Sequence, residues 1–131
     1  MAGHLPNEVE QFILKYIDSL EEMEILLLLS SAPEKVWTPD MVYEAIRSSL
    51  DSVKQRLEAL AAKGLLQSKG EGHRSYQFQP ATADLAAAVQ SLAMAYKERR
   101  LRVLECLFSK PLSSLRIFAD AFKIRKDSNN G

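Results

Sequence analysis

The middle of the chain carries polar and basic side chains whose types and spacing suit hydrogen bonding to nucleic acid. A helix predicted over 50–63 would bury one apolar stripe, formed by Leu50, Val53, Leu57 and Leu60. The remaining faces of that helix present hydroxyl, amide and basic groups, on Ser49, Ser52, Lys54, Gln55 and Arg56. Hydroxyl and amide groups bond phosphates or base edges, and arginine or lysine can also contact guanine. The spacing therefore predicts a polar helix face able to meet DNA.

Other chemistry finds little support in the sequence. His4 and His73 stand in no motif with metal-ligand spacing. Cys106 falls on an apolar helical seam, where a cysteine is typically a small buried hydrophobe. The chain has neither a glycine-rich phosphate loop nor a Gly-x-Ser-x-Gly sequence. We therefore expect no enzyme, no metal site and no cofactor.

The charge balance limits the kind of partner. The 131 residues include 17 Lys and Arg and 17 Asp and Glu, so the formal net charge is zero. Nine acidic and three basic residues fall in 1–50, three and five in 51–80, and five and nine in 81–131. Zero net charge excludes an indiscriminate polyanion binder, whereas the basic later segments leave a selective face open. A single cysteine and the lack of a membrane-length apolar run favour the cytoplasm and no membrane partner.

Helix and turn signals indicate which elements position these groups. Predicted N-caps begin helices at four places: Asn7, Ser19, Thr38 and Ser49. Gly64 and the leucine after it predict a Schellman ending for the central helix. Residues 65–78 predict a two-stranded hairpin that turns at Gly70 and Gly72. One long helix is predicted over 82–108, capped by Thr82 or Asp84, with a last short helix after it.

Over residues 20–79, this order of elements resembles the winged helix-turn-helix of bacterial transcription regulators of the MarR, PadR and ArsR types. The resemblance rests on Thr38-Pro39-Asp40, on Arg47-Ser48-Ser49, on the apolar stripe, and on the run from Ala61 to Leu66. It implies a mainly α fold with a small β-hairpin and long C-terminal dimerisation helices. The implied organisation is an N-terminal dimer arm over 1–18, a winged helix-turn-helix domain over 19–80, and a dimerisation region over 81–131.

The resemblance also implies a function, namely a homodimeric transcription regulator that binds specific double-stranded DNA. Its recognition helix would be 50–63 and its wing about 67–78. The implied DNA-binding residues are Thr38, Ser48, Ser49, Ser52, Lys54, Gln55, Arg56, Lys69, His73 and Arg74. An apolar small-molecule effector could enter a cleft between the long helices and the winged domain, lined by Trp37, Tyr16 or Tyr96.

Two alternatives to this interpretation stay open. Ser52, Gln55 and Arg56 could be ordinary solvent-facing residues of a helix. Asp51 and Glu58 on the same helix oppose phosphate binding, and Glu71 at the tip of the hairpin is a departure from a basic wing. Winged helices also serve as protein-binding modules, so the second hypothesis is an interaction module that does not bind DNA.

Apolar residues recur in alternating steps of four and three along 82–108, which is a heptad seam. Such a seam packs either on this chain's own helices or on a second copy of the chain. The predicted dimer interface comprises Leu85, Val89, Leu92, Tyr96, Val103, Cys106, Phe118 and Phe122. Arg99 lies within the seam, where it would need Glu98 or Glu105 of the partner subunit as a counter-charge.

Overall fold

The computed structural model describes residues 5–109. Within this stretch the helices are α1 (Asn7–Tyr16), α2 (Leu20–Ser30), α3 (Pro39–Ile46), α4 (Leu50–Ala62), α5 (Ala83–Glu98) and α6 (Arg100–Phe108). The strands are β1 (Val36–Trp37), β2 (Leu66–Lys69) and β3 (Ser75–Phe78). The expected mainly α fold with a small sheet is therefore confirmed. The predicted last helix, with Phe118 and Phe122, lies outside the described residues.

Hydroxyl caps set most helix starts. Four side-chain hydroxyls each accept a bond of 3.1–3.2 Å from the backbone N–H three residues later, those of Ser19, Thr38, Ser49 and Thr82. The cap predicted at Asn7 is wrong, because Asn7 is already the first residue of α1. Pro6 precedes α1 instead, and its carbonyl oxygen accepts the N–H groups of Val9 and Glu10.

The helix pair α3 and α4 is joined by a tight turn and ends as expected. Arg47 closes α3 in the left-handed region, with φ 63°. At the other end of α4, the N–H of Leu65 donates to the carbonyl of Leu60 at 3.1 Å, and the N–H of Gly64 donates to that of Ala61 at 3.0 Å. These two bonds, with φ +82° at Gly64, are a Schellman ending. After this ending the chain enters strand β2 at Leu66.

The sheet has one strand more than the sequence predicts. The hairpin β2–β3 turns through Gly70 and Gly72, both with positive φ. The strand order is β1-β3-β2 and both pairings are antiparallel, so β1 covers the outer edge of β3. Trp37 lies opposite Tyr76 in this register. The segment between α2 and α3 is thereby attached to the wing.

The C-terminal helices also differ from expectation. The single helix predicted over 82–108 is wrong, because the backbone at Arg99 leaves the helical region, with φ −135° and ψ 52°, and separates α5 from α6. Both helices pack against α1. The break turns α6 so that Val103 and Leu107 enter the core, whereas a straight rod would carry them past a domain of this size. No helix within residues 5–109 is long and apolar enough to span a bilayer.

Candidate nucleic-acid interface

The exposed face of α4 carries the residues best placed for contact with a partner. Val53, Leu57 and Leu60 are fully buried and fix the rotation of the helix about its axis. Lys54 and Gln55 are exposed, and Asp51 is exposed beside them. Ser49 caps the helix through its side chain, and its exposed hydroxyl lies at the same end. This surface can offer an amide, an ammonium and a carboxylate to groups outside the chain.

One flank of α4 faces the N-terminal end of α2, where three predicted DNA-binding residues meet one acid. The hydroxyls of Ser48 and Ser52 both donate to the carboxylate of Glu21. The Nε of Arg56 lies 3.3 Å from Glu21 Oε1. Burial alone would raise the pKa of Glu21, but these hydrogen bonds and the Arg56 charge outweigh it and hold the pKa below 4.5.

On the other flank, the wing is attached to α4 through a second acid. Arg74 Nη1 donates to both carboxylate oxygens of Glu58 at 3.1 Å, and the hydroxyl of Tyr76 donates to the same carboxylate. Burial of Tyr76 makes the largest contribution and its hydrogen bond to the negative Glu58 the next largest. Together they raise the pKa of Tyr76 to about 12. The predicted DNA-binding arginine of the wing is thus already paired within the chain.

The remaining predicted DNA-binding residues lie in the β2–β3 hairpin and at the start of α3. Lys69 is exposed and its Nζ donates to Gln77 Oε1 at 2.7 Å. His73 is exposed close to the tip of the hairpin. Thr38 is exposed, but its hydroxyl accepts the N–H of Met41 as the cap of α3. The structure therefore brings Ser48, Ser52 and Arg56 together and leaves the wing residues as a separate group.

The sequence did not reveal a buried ion pair beneath this surface. Glu22 is 0% exposed, and its Oε1 lies 2.8 Å from Lys63 Nζ and accepts the N–H of Asp18 at 2.9 Å. Lys63 also donates to Asp18 Oδ2 at 2.9 Å and to the Tyr16 carbonyl at 2.6 Å. Glu22 Oε2 has no hydrogen-bond partner among residues 5–109. The Ser19-x-x-Glu22 box was the available signal, but here the Glu22 carboxylate bonds Asp18 rather than the cap.

The predicted dimer residues fall into two groups. Val89, Leu92 and Val103 are buried in this chain's own core, which is the first of the two packing alternatives for the seam. Leu85, Tyr96 and Cys106 are partly buried against that core. Arg99 lies 3.9 Å from Glu98 of the same chain.

An apolar stripe on the outside of α6 escaped the sequence interpretation. Leu101 is 75% exposed and Phe108 is 68% exposed, while Leu104 between them is partly exposed. Positions i, i+3 and i+7 lie on one helix face, opposite the buried Val103 and Leu107. The sequence contains this spacing, but the heptad seam predicted the interface on the opposite face of the helix, which carries Val103.

A groove of about 470 Å³ lies between α2, α3 and α5. It is lined by Glu24, Leu27, Leu28, Ala45, Ile46 and Tyr96. Of the three aromatic residues predicted to line an effector cleft, only Tyr96 is here, since Trp37 is buried and Tyr16 stacks on Phe12 at 5.0 Å. Within the described part of the chain, no cluster of three or more His, Cys, Asp or Glu residues could hold a metal ion.

The same fold occurs in MepR, a transcription regulator of the Staphylococcus aureus multidrug efflux pump MepA. Its crystal structure aligns with a TM-score of 0.54 at 15% identity, over 92% of this chain and 87% of that chain. The S. aureus MepR–DNA complex aligns with 0.55 at 17% identity, over 83% and 90%. S. aureus MepR bound to ethidium bromide aligns with 0.52 at 14% identity, over 92% and 86%. No protein-family model matches the sequence, and no curated protein matches it either. This likeness establishes the winged helix-turn-helix fold.

Proposed function

We propose that this winged helix-turn-helix protein is a cytoplasmic transcription regulator that binds specific DNA sequences as a homodimer, without catalysis. The observation that carries the proposal is the exposed face of α4, which presents Lys54 and Gln55 to solvent. In this fold the second helix of the helix-turn-helix enters the major groove. MepR, which shares the fold, has been crystallised with DNA.

The charges on this surface favour selective over indiscriminate binding. Lys54 and Lys69 are exposed cations, whereas Arg56 and Arg74 are paired with carboxylates of their own chain. Binding releases counterions in proportion to the phosphates contacted, with a salt slope of about 0.9 per phosphate. Because few cations are available, we expect the affinity to fall only slowly as salt rises. Base contacts should then supply a larger share of the binding free energy. Gln55 can bond adenine in the major groove through its side-chain amide.

Selection from random duplex DNA, followed by affinity measurement at two salt concentrations, tests the proposal. We expect one enriched sequence, bound more tightly than unselected duplexes at both salt concentrations. The alternative is a protein-binding module, which the acidic first third of the chain and the acids Asp51 and Glu58 on α4 favour. No enrichment, together with negligible binding of every duplex at low salt, would refute the DNA-binding proposal.

Variants divide the proposed contacts by type. Gln55→Ala should reduce discrimination at the contacted base pair by about 1–3 kcal/mol, because a base-edge contact is lost. Lys69→Ala should weaken all sequences alike and lower the salt slope by about one, because a phosphate contact is lost. Lys15→Ala on α1 is the matched control and should change neither quantity. Equal effects of all three substitutions would remove α4 and the wing from the interface.

The homodimer is the second part of the proposal, and the apolar stripe on α6 supports it. Exposed leucine and phenylalanine in a row at helical spacing are typical of a face that packs against another helix. Leu101→Ser with Phe108→Ser should then shift the sedimenting species from twice the 14.7 kDa chain mass to that mass. Val36→Ser on β1, an exposed apolar residue outside the predicted dimer regions, serves as the control. A wild-type particle of 14.7 kDa at micromolar concentration would refute the dimer.

A ligand site is the third part, and Tyr96 supports it. Its buried hydroxyl has no hydrogen-bond partner among residues 5–109, and it lines the groove together with Glu24. The leucines and the one carboxylate suit an organic cation, and the Arg100 guanidinium already lies 4.9 Å from the centre of the Tyr96 ring. Ethidium fluorescence provides the probe, because MepR has been crystallised with it. Glu24→Gln should weaken ethidium binding several-fold and the exposed Glu34→Gln should not; equal affinities would exclude the groove.

A further inference from the structure

Three hydrogen-bond donors converge on a single carboxylate at the flank of α4 that faces α2. Ser48 lies in the turn before α4, and Ser52 and Arg56 lie one helical turn apart along it. All three donate to Glu21, which is 27 to 35 residues earlier in the chain. Two hydroxyls and a guanidinium around one anionic group make an anion site that the chain's own side chain fills.

The same donors fit a phosphate group as well as a carboxylate. Arginine and hydroxyl donors recur in phosphate sites because charge-assisted bonds to phosphate oxygens are short and strong. The site adjoins the N-terminal end of α4, a helix of 13 residues whose first N–H groups also favour an anion. This end of the helix is the one that the fold directs toward DNA.

The pairing is open to exchange with an anion from solvent. The Arg56 side chain is 33% exposed and that of Glu21 is 17% exposed, and Ser48 is exposed at the surface. By contrast, Glu22, the next residue of α2, is fully buried and forms an ion pair with Lys63. Glu21 could therefore leave its donors without opening the hydrophobic core.

We propose that Ser48, Ser52 and Arg56 form a phosphate subsite of the DNA-binding face, and that Glu21 occupies it until a DNA phosphate displaces the carboxylate. The proposal rests on the DNA-binding function proposed above. Because a phosphate carries no base identity, displacement of Glu21 lowers the affinity for every sequence by the same factor. Glu21 thus neutralises the charge of Arg56 in the absence of DNA and weakens specific and non-specific binding alike.

Charge removal at Glu21 tests the displacement. Glu21→Gln keeps the shape and should bind selected and unselected duplexes about tenfold more tightly at ~0.1 M salt, with a salt slope steeper by about one. Glu10→Gln, in the first turn of α1, makes the same chemical change and should leave affinity unaltered. A Glu21 that only braces α2 against α4 predicts unchanged or weaker binding with a lower urea midpoint, and that result would overturn the proposal.

A second measurement needs no DNA. Inorganic phosphate is titrated at constant ionic strength into Glu21→Ala protein, and the NMR signals of the Ser52 amide and Arg56 Nε–H are followed. We expect saturable shifts that wild-type protein and the double variant Glu21→Ala/Arg56→Met lack. If wild-type protein binds no duplex, the proposed function fails, yet this titration still decides the subsite. Absence of saturable shifts in Glu21→Ala would show that no phosphate site exists there.

Discussion

The two ends of α4 are held to α2 by adjacent glutamates in opposite ways. At the C-terminal end, Glu22 is fully buried, and Lys63 joins it to Asp18 and to the Tyr16 carbonyl. At the N-terminal end, Glu21 remains partly exposed, and its partners are two hydroxyls and one arginine. The Glu22 carboxylate is closed to water, whereas Glu21 and Arg56 both remain in contact with it.

The backbone shows the same contrast. A left-handed conformation follows α4 at Gly64, where the missing side chain removes its cost. A left-handed conformation also precedes α4, but there it falls on Arg47, for which it is unfavourable. This helix therefore has an anchored C-terminal end, which fixes its position. Its N-terminal end is adaptable and lies on the proposed DNA-binding face. Four substitutions or titrations test that contrast.

The largest effect is expected at the anchored end. Lys63→Met leaves the carboxylate of Glu22 buried without its counter-charge and should lower the free energy of unfolding by about 3 kcal/mol. Lys54→Met places the same side chain at an exposed position of the same helix and should change it by less than about 0.5 kcal/mol. Urea denaturation measures both. Equal midpoints for the two variants would show that the ion pair does not anchor α4.

The next effect concerns Gly64. Gly64→Ala should lower the free energy of unfolding by roughly 1–2 kcal/mol, because alanine is unfavourable at φ +82°. The new Cβ would lie 3.5 Å from Ala81 Cβ, an ordinary contact, so crowding is not the cause. Combining Gly64→Ala with Ala81→Gly should therefore restore no stability. Recovery in the double variant would show that contact with Ala81 is responsible.

A smaller effect of opposite sign is expected at the adaptable end. Arg47→Gly relieves the left-handed strain but adds freedom to the unfolded chain, with an expected net gain of about 0.5 kcal/mol. Arg47→Ala removes the same exposed contacts with Glu44 and Tyr43 and keeps the strain, so it should give no gain. Thermal unfolding compares the two. Stability that is the same for glycine and alanine would contradict strain at this turn.

The smallest effect is the titration of Glu21. Its pKa lies below 4.5 in the folded protein, so its contribution to stability is present above pH 4.5 and is lost as the pH falls through the folded value. Carboxyl-carbon NMR shifts report this titration directly. Ser48→Ala with Ser52→Ala should raise the pKa of Glu21, because two donors to the ionised form disappear. An unmoved midpoint would mean that these hydroxyls do not stabilise the carboxylate.

Local signals in the sequence predicted much of the fold. Helix caps were readable because a cap depends on only a few neighbouring residues. The four caps are Ser19, Thr38, Ser49 and Thr82. The pair Gly64 and Leu65 predicted its helix ending for the same reason. The break at Arg99 left no such signal, since neither proline nor glycine marks it. Both helices beside the break pack on α1 at the far end of the sequence, and a contact so distant leaves no local signal near Arg99.

The candidate site was predicted by residue type but not by arrangement. Ser52, Arg56 and Lys63 share one flank of α4 by their spacing of four and seven, and that much was readable in the sequence. Their acceptors, Glu21 and Glu22, lie on another helix, and helix packing decides which of two adjacent acids is buried. Glu34 to Trp37 was readable as a short extended segment, but its pairing with β3 was not, because the partner strand lies about forty residues later.

The attachment of the segment around β1 to β3 also affects how the winged region unfolds. Gln77 on β3 donates to the Pro33 carbonyl at 3.0 Å across a separation of 44 residues, and α3 and α4 lie within the loop that this contact closes. Closing so long a loop costs entropy that only the packed helices between its ends offset. We therefore expect the helix-turn-helix and the wing to open together as one cooperative unit, so that their slowest amide protons exchange with a common free energy.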